Sequence, residues 1–591
     1  MAFGKWDLSH LYKTNDEFLN DYKNLEKYLK NAKKFKNKLN KNNPDDILAY
    51  FLIETQLSLT LEKLAVYAFC KQDDDSKNDT NVKNYAMIND MCSKINEELA
   101  FSKTELSSLS EGFLKTIQKD KRFADYDRVI EDVIRYKKHT LSEKEEQNLA
   151  IISGFNNTDD IFRMLSDIEM DHGSFKNEKG EVIKLFPGNY SEHMHSQNPE
   201  IRKLVMETYL GKYAELNQTL AGLFTSHVKY KNYLAKCYNF DSVLDMKTYA
   251  EEVSPKIMML NIKAVKSRAN LLQEYFILKK KILNLKDFYA SDISVDIADE
   301  NAEKITYEQA ITDIRESFKV LGDDYVAVFD EAVNNGWIDA FPRQNKRSGG
   351  YTISTYGEHP YILLNFDGTF EWASAIAHEF GHAMHSYYSA KAQPYSKYEY
   401  TLFVAEVVSL TNEILYNKYL LAKTNSKAEK IKLLSNFLQL FELNVYDSSM
   451  LAEFELFAHD KLAQGESLTA KDYNEKFILL TKEYFGDTVK LNKGYECNWS
   501  RKGHIYRDYY LYKYSLGLSV ACSLAKGLLE DKSGENLRKY REFLTIGGAK
   551  DPISSLKVAG VDVLDSKFYD GAFAMFEEYL NELKSLTKEK L

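Results

Sequence analysis

The chain is 591 residues long, 44% apolar and 28% charged, with a formal net charge of −10. That balance describes a soluble globular protein long enough for an ample core, and it argues against nucleic acid as the main partner. No apolar run approaches the roughly 18–20 residues that a membrane-spanning helix needs, so no membrane partner is expected.

Only 8 prolines and 26 glycines interrupt the chain, which favours long helices over many short strands. The five cysteines (Cys70, Cys92, Cys237, Cys497 and Cys522) are odd in number and widely spaced, with no C-x-x-C, as expected of reduced thiols in a cytosolic protein. The opening stretch around Lys5-Trp6-Asp7-Leu8 lacks a basic segment followed by an apolar core. No signal peptide is therefore read, and the expected location is the cytoplasm.

In chain order, residues 1–13 carry Trp6, Leu8 and Leu11 at turn-like spacing, an anchored N-terminal segment. A Lys-rich helix is expected from Asn15 to about Leu39. Asn43-Pro44-Asp45-Asp46 reads as the start of a long helix reaching about Lys71, followed by a polar loop over Gln72–Asp79. Helices are expected over 80–119 and 122–138, and an interrupted one over 141–170. The pattern then changes to a small β-hairpin near 173–186 with its turn at Asn177–Gly180. His193 and His195 form an H-x-H pair with no third ligand nearby, and a loop or helix start is the preferred reading. Helices resume over about 198–290, with Pro255 opening a new one behind Ser254. Residues 305–335 are again helical. Phe341 to Asp367 is the most strand-like stretch, and two strands joined at Tyr356–His359 would form a hairpin running into the next helix. The remainder, 398–591, reads as helical apart from 485–503 and 546–565. The expected division is an N-terminal helical domain over 1–190, with the hairpin near its end, and a catalytic domain over 191–591.

That helix carries His378-Glu379-Phe380-Gly381-His382, an H-E-x-x-H pattern. Residues four apart share a helix face, so both imidazoles can reach one zinc ion while Glu379 serves as general base. Gly381 costs about 1 kcal/mol inside a helix, which points to the close approach of another group. Catalytic zinc needs a third protein ligand and an open position. Glu399, Glu406 and Glu413 follow at seven-residue spacing, roughly one helix face. Glu406 stands in the apolar run Phe403-Val404-Ala405-Glu406-Val407-Val408, where a lone carboxylate needs a cation. It is the chosen third ligand; Glu413 is second choice or an outer-shell group, and pairing of Glu406 with a Lys or Arg is the alternative. His385 is rejected as a fourth ligand because it would close the site to water. His359 either contacts substrate or hydrogen-bonds within its turn.

A hydrolytic site also needs donors for an oxyanion. The segment from His504 to Tyr514 concentrates one His, one Arg and five Tyr. His504 and Tyr512 lie about two turns apart and would face one side if the segment were helical throughout. Core packing is the competing reading of so many tyrosines.

With these residues in place the chain resembles the M3 family of zinc metallopeptidases, within it the oligoendopeptidase F group. The matching stretches are Lys5–Tyr12, His359–Asn365, His378–His385, Phe403–Val407 and His504–Gly517. The resemblance implies a mainly α, elongated, neurolysin-like multi-helix fold with a deep central channel and a small β-sheet beside the zinc helix that pairs with the substrate backbone. It implies one Zn2+ per chain held by His378, His382 and Glu406, with Glu379 as base. It implies His504 and Tyr512 as transition-state donors, with Tyr506 or Tyr509 able to share the role. Short unfolded oligopeptides would be the substrates. Two other readings stand beside it. A carboxypeptidase or dipeptidyl carboxypeptidase would use Arg501, Lys502 or Arg507 to hold a free C-terminus. A non-catalytic helical peptide-binding protein would carry the motif by chance.

Overall fold

The computed structural model describes residues 4–153, 157–298 and 304–588. Among the described residues the chain is mainly α-helical with three small sheets, and it forms two compact units. The first is built from Met1–Glu146, Glu303–Tyr419 and Gly527–Val561; the second from Gln147–Ala302, Leu420–Lys526 and Asp562–Leu591. Among the described residues no helix is long and apolar enough to cross a membrane.

In the first unit the N-terminal segment is anchored as expected. Trp6, Leu8 and Leu11 are buried, and Asp7 N–H donates to the Gly336 carbonyl at 2.7 Å. The helix Asn15–Ala32 begins where Thr14 caps the Glu17 amide. The next helix, Pro44–Asp74, starts at the expected proline behind an Asn43 cap. It runs three residues past the expected end, so the polar loop shrinks to 75–78. The expected helix over 80–119 is three helices, Asp79–Leu99, Phe101–Ser108 and Glu111–Gln118, because Ser110 caps a fresh start on the Phe113 amide. These elements share one core with the strand Tyr361–Leu363, since Phe18, Leu25, Tyr50, Phe51, Tyr361 and Leu363 belong to a single buried cluster. Each such side chain contributes about 1.5–3 kcal/mol by leaving water.

The strand-like stretch forms a three-stranded sheet. Tyr361–Leu363 is central, pairing parallel with Ile338–Asp339 and antiparallel with Tyr351–Ile353. The loop before Tyr351 is fixed by a buried ion pair, with Lys346 Nζ 2.7 Å from Asp339 Oδ1 and both side chains fully buried. Lys346 also donates to the Phe341 and Leu364 carbonyls at 2.8 and 2.5 Å. These three oxygens around one ammonium compensate its desolvation. The sheet edge Tyr351–Ile353 is thereby held against the helix Phe370–Ala392.

The second unit contains the expected hairpin, Ser174–Lys176 paired with Val182–Lys184. Its helices include Pro199–Glu215, Asn217–Cys237, Val243–Ala250, Lys256–Lys266, Ser448–Ala463, Ala470–Phe485, Tyr512–Leu529 and Phe568–Thr587. A new helix does start at this proline, but Pro255 is itself the N-cap of Lys256–Lys266, one residue after the Ser254 cap read from the sequence. A two-residue parallel pair, Phe288–Tyr289 with Val489–Lys490, falls inside stretches read as helix and loop.

Candidate active site

The helix Phe370–Ala392 starts at Thr369, whose hydroxyl accepts from the Trp372 amide at 3.3 Å. It packs beside Leu402–Lys423 at unusually short range. A Cβ on Gly381 would meet Ser409 Cα at 2.4 Å and Ser409 N at 2.8 Å. This close approach accounts for a glycine in mid-helix. Asn412 Nδ2 adds a bond to the Ala377 carbonyl at 3.2 Å, tying the two helices together.

The pairing brings His378, His382 and Glu406 into one group whose ligand atoms lie within 4.8 Å of one another. His378 Nε2 is 3.2 Å from His382 Nε2 and 3.4 Å from Glu406 Oε2; His382 Nε2 is 3.7 Å from the same oxygen. The three side chains are half-buried. Glu406, expected to be buried in its apolar run, retains 31% side-chain exposure.

Glu413 Oε1 lies 2.5 Å from His378 Nδ1, and Ser374 Oγ donates to Glu413 Oε2 at 3.0 Å. Glu413, read from the sequence as second choice or an outer-shell group, is held by His378 and Ser374 and lies outside the metal-compatible trio. Glu406 and Glu413 therefore flank the His378 ring, one on each nitrogen, because seven residues span two helical turns, roughly 10 Å. Glu399 does not share their face. It precedes the helix in extended conformation.

Burial opposes charge on His378, but Glu413, Glu379 and Glu406 outweigh it and hold the ring up to about 9. Burial, with His378 and His385 nearby, pushes His382 down to about 3, although the Ala405 carbonyl accepts a hydrogen bond from its ring. The two Nε2 atoms and Glu406 Oε2 are close enough together to share one cation. Two imidazole lone pairs and a carboxylate converging there, with both outer nitrogens engaged, are a donor set that fits a divalent metal.

Glu379 points to the neighbouring strand. Thr352 Oγ1 lies 2.9 Å from Glu379 Oε2 and 2.7 Å from the Glu379 carbonyl. Burial raises the Glu379 carboxyl; His378 and Thr352 counter it, and Glu406 and Glu413 reinforce it. Thr352 was not singled out from the sequence, because its contact arises only when the sheet edge meets the helix.

His385 is buried, stacked on Tyr400 at 3.6 Å, and outside the metal-compatible group. His359 resolves to the turn: its Nδ1 pairs with the Pro360 carbonyl at 2.9 Å, and its ring stacks on Trp337. His195 pairs with Asp296 Oδ2 at 3.2 Å, and His193 packs edge-on to Phe175.

His504 and Tyr512 belong to the second unit. The segment is not one helix. Gly503–Arg507 is a 3₁₀ turn, Asp508 and Tyr509 both have positive φ, and a new helix begins at Tyr512. The premise that put both residues on one helix side is therefore corrected. His504 is exposed, with the Tyr514 ring 6.3 Å away. Tyr512 is buried, and its hydroxyl has no hydrogen-bond partner among the described residues. Tyr506 stacks on Phe162, and Tyr509 packs on His459.

Residues 192–575 match the family model described as Peptidase family M3, and residues 105–171 match that of Oligopeptidase F. The chain belongs to peptidase family M3. It is 30% identical to the oligopeptidase PepF of Bacillus subtilis, over 98% of this chain and 87% of that protein. A crystal structure from Chlamydophila abortus superposes with a TM-score of 0.93 at 29% identity, covering 99% of this chain and 98% of the other. The oligoendopeptidase-F of Enterococcus faecium superposes at 0.74 with 25% identity, covering 97% and 99%. As an M3 peptidase the chain is a metal-dependent hydrolase of peptide bonds, with peptides as its substrates.

Proposed function

We propose that this M3 peptidase is a zinc-dependent endopeptidase acting on short, unfolded oligopeptides, with one zinc per chain held by His378, His382 and Glu406. The observation that carries the metal assignment is the convergence of two Nε2 atoms and Glu406 Oε2 within 3.2–3.7 Å. A zinc ion there supplies a Lewis acid that polarises the scissile carbonyl and makes water a stronger acid. Glu379 takes the proton of the attacking water and delivers it to the leaving amine. Thr352 holds the Glu379 carboxylate at Oε2, and a carboxyl raised by burial is suited to both halves of the cycle. Glu413 keeps the His378 ring oriented with Nε2 inward. His504 and Tyr512 are assigned as oxyanion donors by their match to the family segment, and the partnerless Tyr512 hydroxyl is a donor awaiting an acceptor.

Two of the three cations that the carboxypeptidase alternative would use are engaged elsewhere. Lys502 pairs with Asp447 at 2.8 Å, and Arg501 packs over Tyr190 with its Nε on Asn498. The five free thiols support a reducing, cytoplasmic location. The division into modules at about residue 190 is retained as part of the proposal, supported by family matches that end at 171 and resume at 192.

The test is mass spectrometry of a mixed peptide library after incubation, with and without chelator. Internal cleavage of C-terminally amidated peptides, abolished by chelator and restored by zinc, is expected. Loss of cleavage on amidation would reject the endopeptidase reading.

A further inference from the structure

The turn between His504 and Tyr512 is built in an unusual way. Asp508 has φ 47° and Tyr509 φ 58°, two consecutive non-glycine residues in a region that L side chains rarely adopt. Positive φ in a residue as bulky as tyrosine costs energy and persists only where surroundings over-determine it.

Three helices of the same unit supply those surroundings. From Asn217–Cys237, His227 Nε2 meets Asp508 Oδ1 at 2.8 Å and Lys231 Nζ lies 3.1 Å from Oδ2. Lys247, on Val243–Ala250, lies 3.2 Å from the same oxygen. The His227 ring is itself fixed, since its Nδ1 pairs with Thr158 Oγ1 at 2.9 Å. From Ser448–Ala463, Glu455 Oε1 accepts the Tyr509 amide at 3.0 Å, and the His459 ring packs at a tilt against the Tyr509 ring at 4.9 Å. Asp508, His227, Glu455 and His459 are all buried. Although burial opposes its charge, His227, Lys247 and Lys231 hold the Asp508 carboxyl far below the usual carboxylate range. Burial pushes the Glu455 carboxyl well above the usual carboxylate range.

We propose that Asp508 is a positioning residue for peptide hydrolysis: clamped by His227, Lys231 and Lys247, it holds the 508–509 turn and thereby fixes how His504 and Tyr512 are presented. A backbone of ordinary φ would continue the 3₁₀ turn and redirect every residue after it. The left-handed pair ends one segment and lets the next helix start at Tyr512 in a new direction. This rests on the assignment of His504 and Tyr512 as donors, so the experiment separates the two ideas.

The metal-loaded full chain is assayed as wild type, Asp508→Asn, His504→Ala, Tyr512→Phe and the double variant Asp508→Asn/His504→Ala. Asparagine tolerates positive φ but removes the charge that the cations face. Asp508→Asn is expected to lower kcat about tenfold to hundredfold with KM within about twofold and metal content unchanged, as for a misplaced catalytic group. In the His504→Ala background the same substitution is expected to cost less than about threefold more, since the group it positions is already gone. Should Asp508→Asn not fold, Lys247→Met at the half-exposed rim of the clamp decides by the same criteria, with an expected kcat loss of about threefold. Wild-type kcat in His504→Ala and Tyr512→Phe overturns the donor assignment and the proposal with it. Loss in those two variants with normal kcat in Asp508→Asn, or full additivity in the double variant, overturns the positioning role alone.

Discussion

The helix pair around His378 and the segment around Asp508 solve the same problem, holding polar groups in place, by opposite means. The first uses regular backbone. Four-residue spacing puts His378 and His382 on one face, seven-residue spacing puts Glu406 and Glu413 on either side of His378, and Gly381 lets the two helices close on each other. The second uses irregular backbone held from outside by charges on helices more than two hundred residues earlier in the chain. Regular structure places side chains by repeat. Irregular structure places them by long-range electrostatics and must meet the desolvation cost of each buried charge.

Substitutions in the helix pair test how far it depends on repeat alone. The largest effect is expected at Glu379→Gln, which keeps the helix and the metal group intact. Hydrolysis should fall about 10²–10⁴-fold with stoichiometric metal retained, as read by single-turnover assay and metal analysis. Wild-type activity in that variant rules out Glu379 as the base. Glu406→Ala should weaken metal binding more than Glu413→Gln does, and the reverse order would exchange their roles. Glu413→Gln, which loses only the partner of His378 Nδ1, should cost about 10–100-fold in metal affinity, measured by competition with a chelator of known strength.

The pH dependence of metal loading tests the same group. In the ion-free protein His378 keeps its proton up to about 9, and a metal must displace it. Raising pH removes the competitor, so apparent affinity should climb about tenfold per unit at most and level off above that value. A flat profile from pH 6 to 9 contradicts the Glu413 pairing. The smallest effect is expected at Gly381→Ala. Its methyl group would meet Ser409 backbone, which cannot rotate away, and overpacking of this kind costs about 1–3 kcal/mol. A thermal unfolding midpoint lowered by a few degrees, with metal affinity also reduced, is the expected reading; an unchanged midpoint shows that the helices can separate freely.

These contrasts explain what could be read early. The helix beginning at Pro44 announced itself through Asn43 and the acidic first turn, and the sheet near 351–363 through its β-branched and aromatic run. Gly381 was legible as a close approach, though not what approaches. Whether His504 and Tyr512 share one continuous helix was not legible, because neither Asp508 nor Tyr509, both of positive φ, is glycine or asparagine. Thr352 was invisible as a partner of Glu379 for a similar reason, since the strand and the helix meet only in the folded unit.

By itself, then, the sequence determined the elements whose geometry repeats: long helices, the metal-compatible trio with a glutamate between its two histidines, and the family. The tertiary structure alone decided that Glu413 orients His378, that Thr352 holds Glu379, that Glu399 falls off the helix face, and that a buried carboxylate bends the chain between His504 and Tyr512. The physical reason is range. A helical period couples residues three, four or seven apart, and any reader of the chain can count them. A buried charge couples whatever the fold brings within about 4 Å, and no local pattern records that distance.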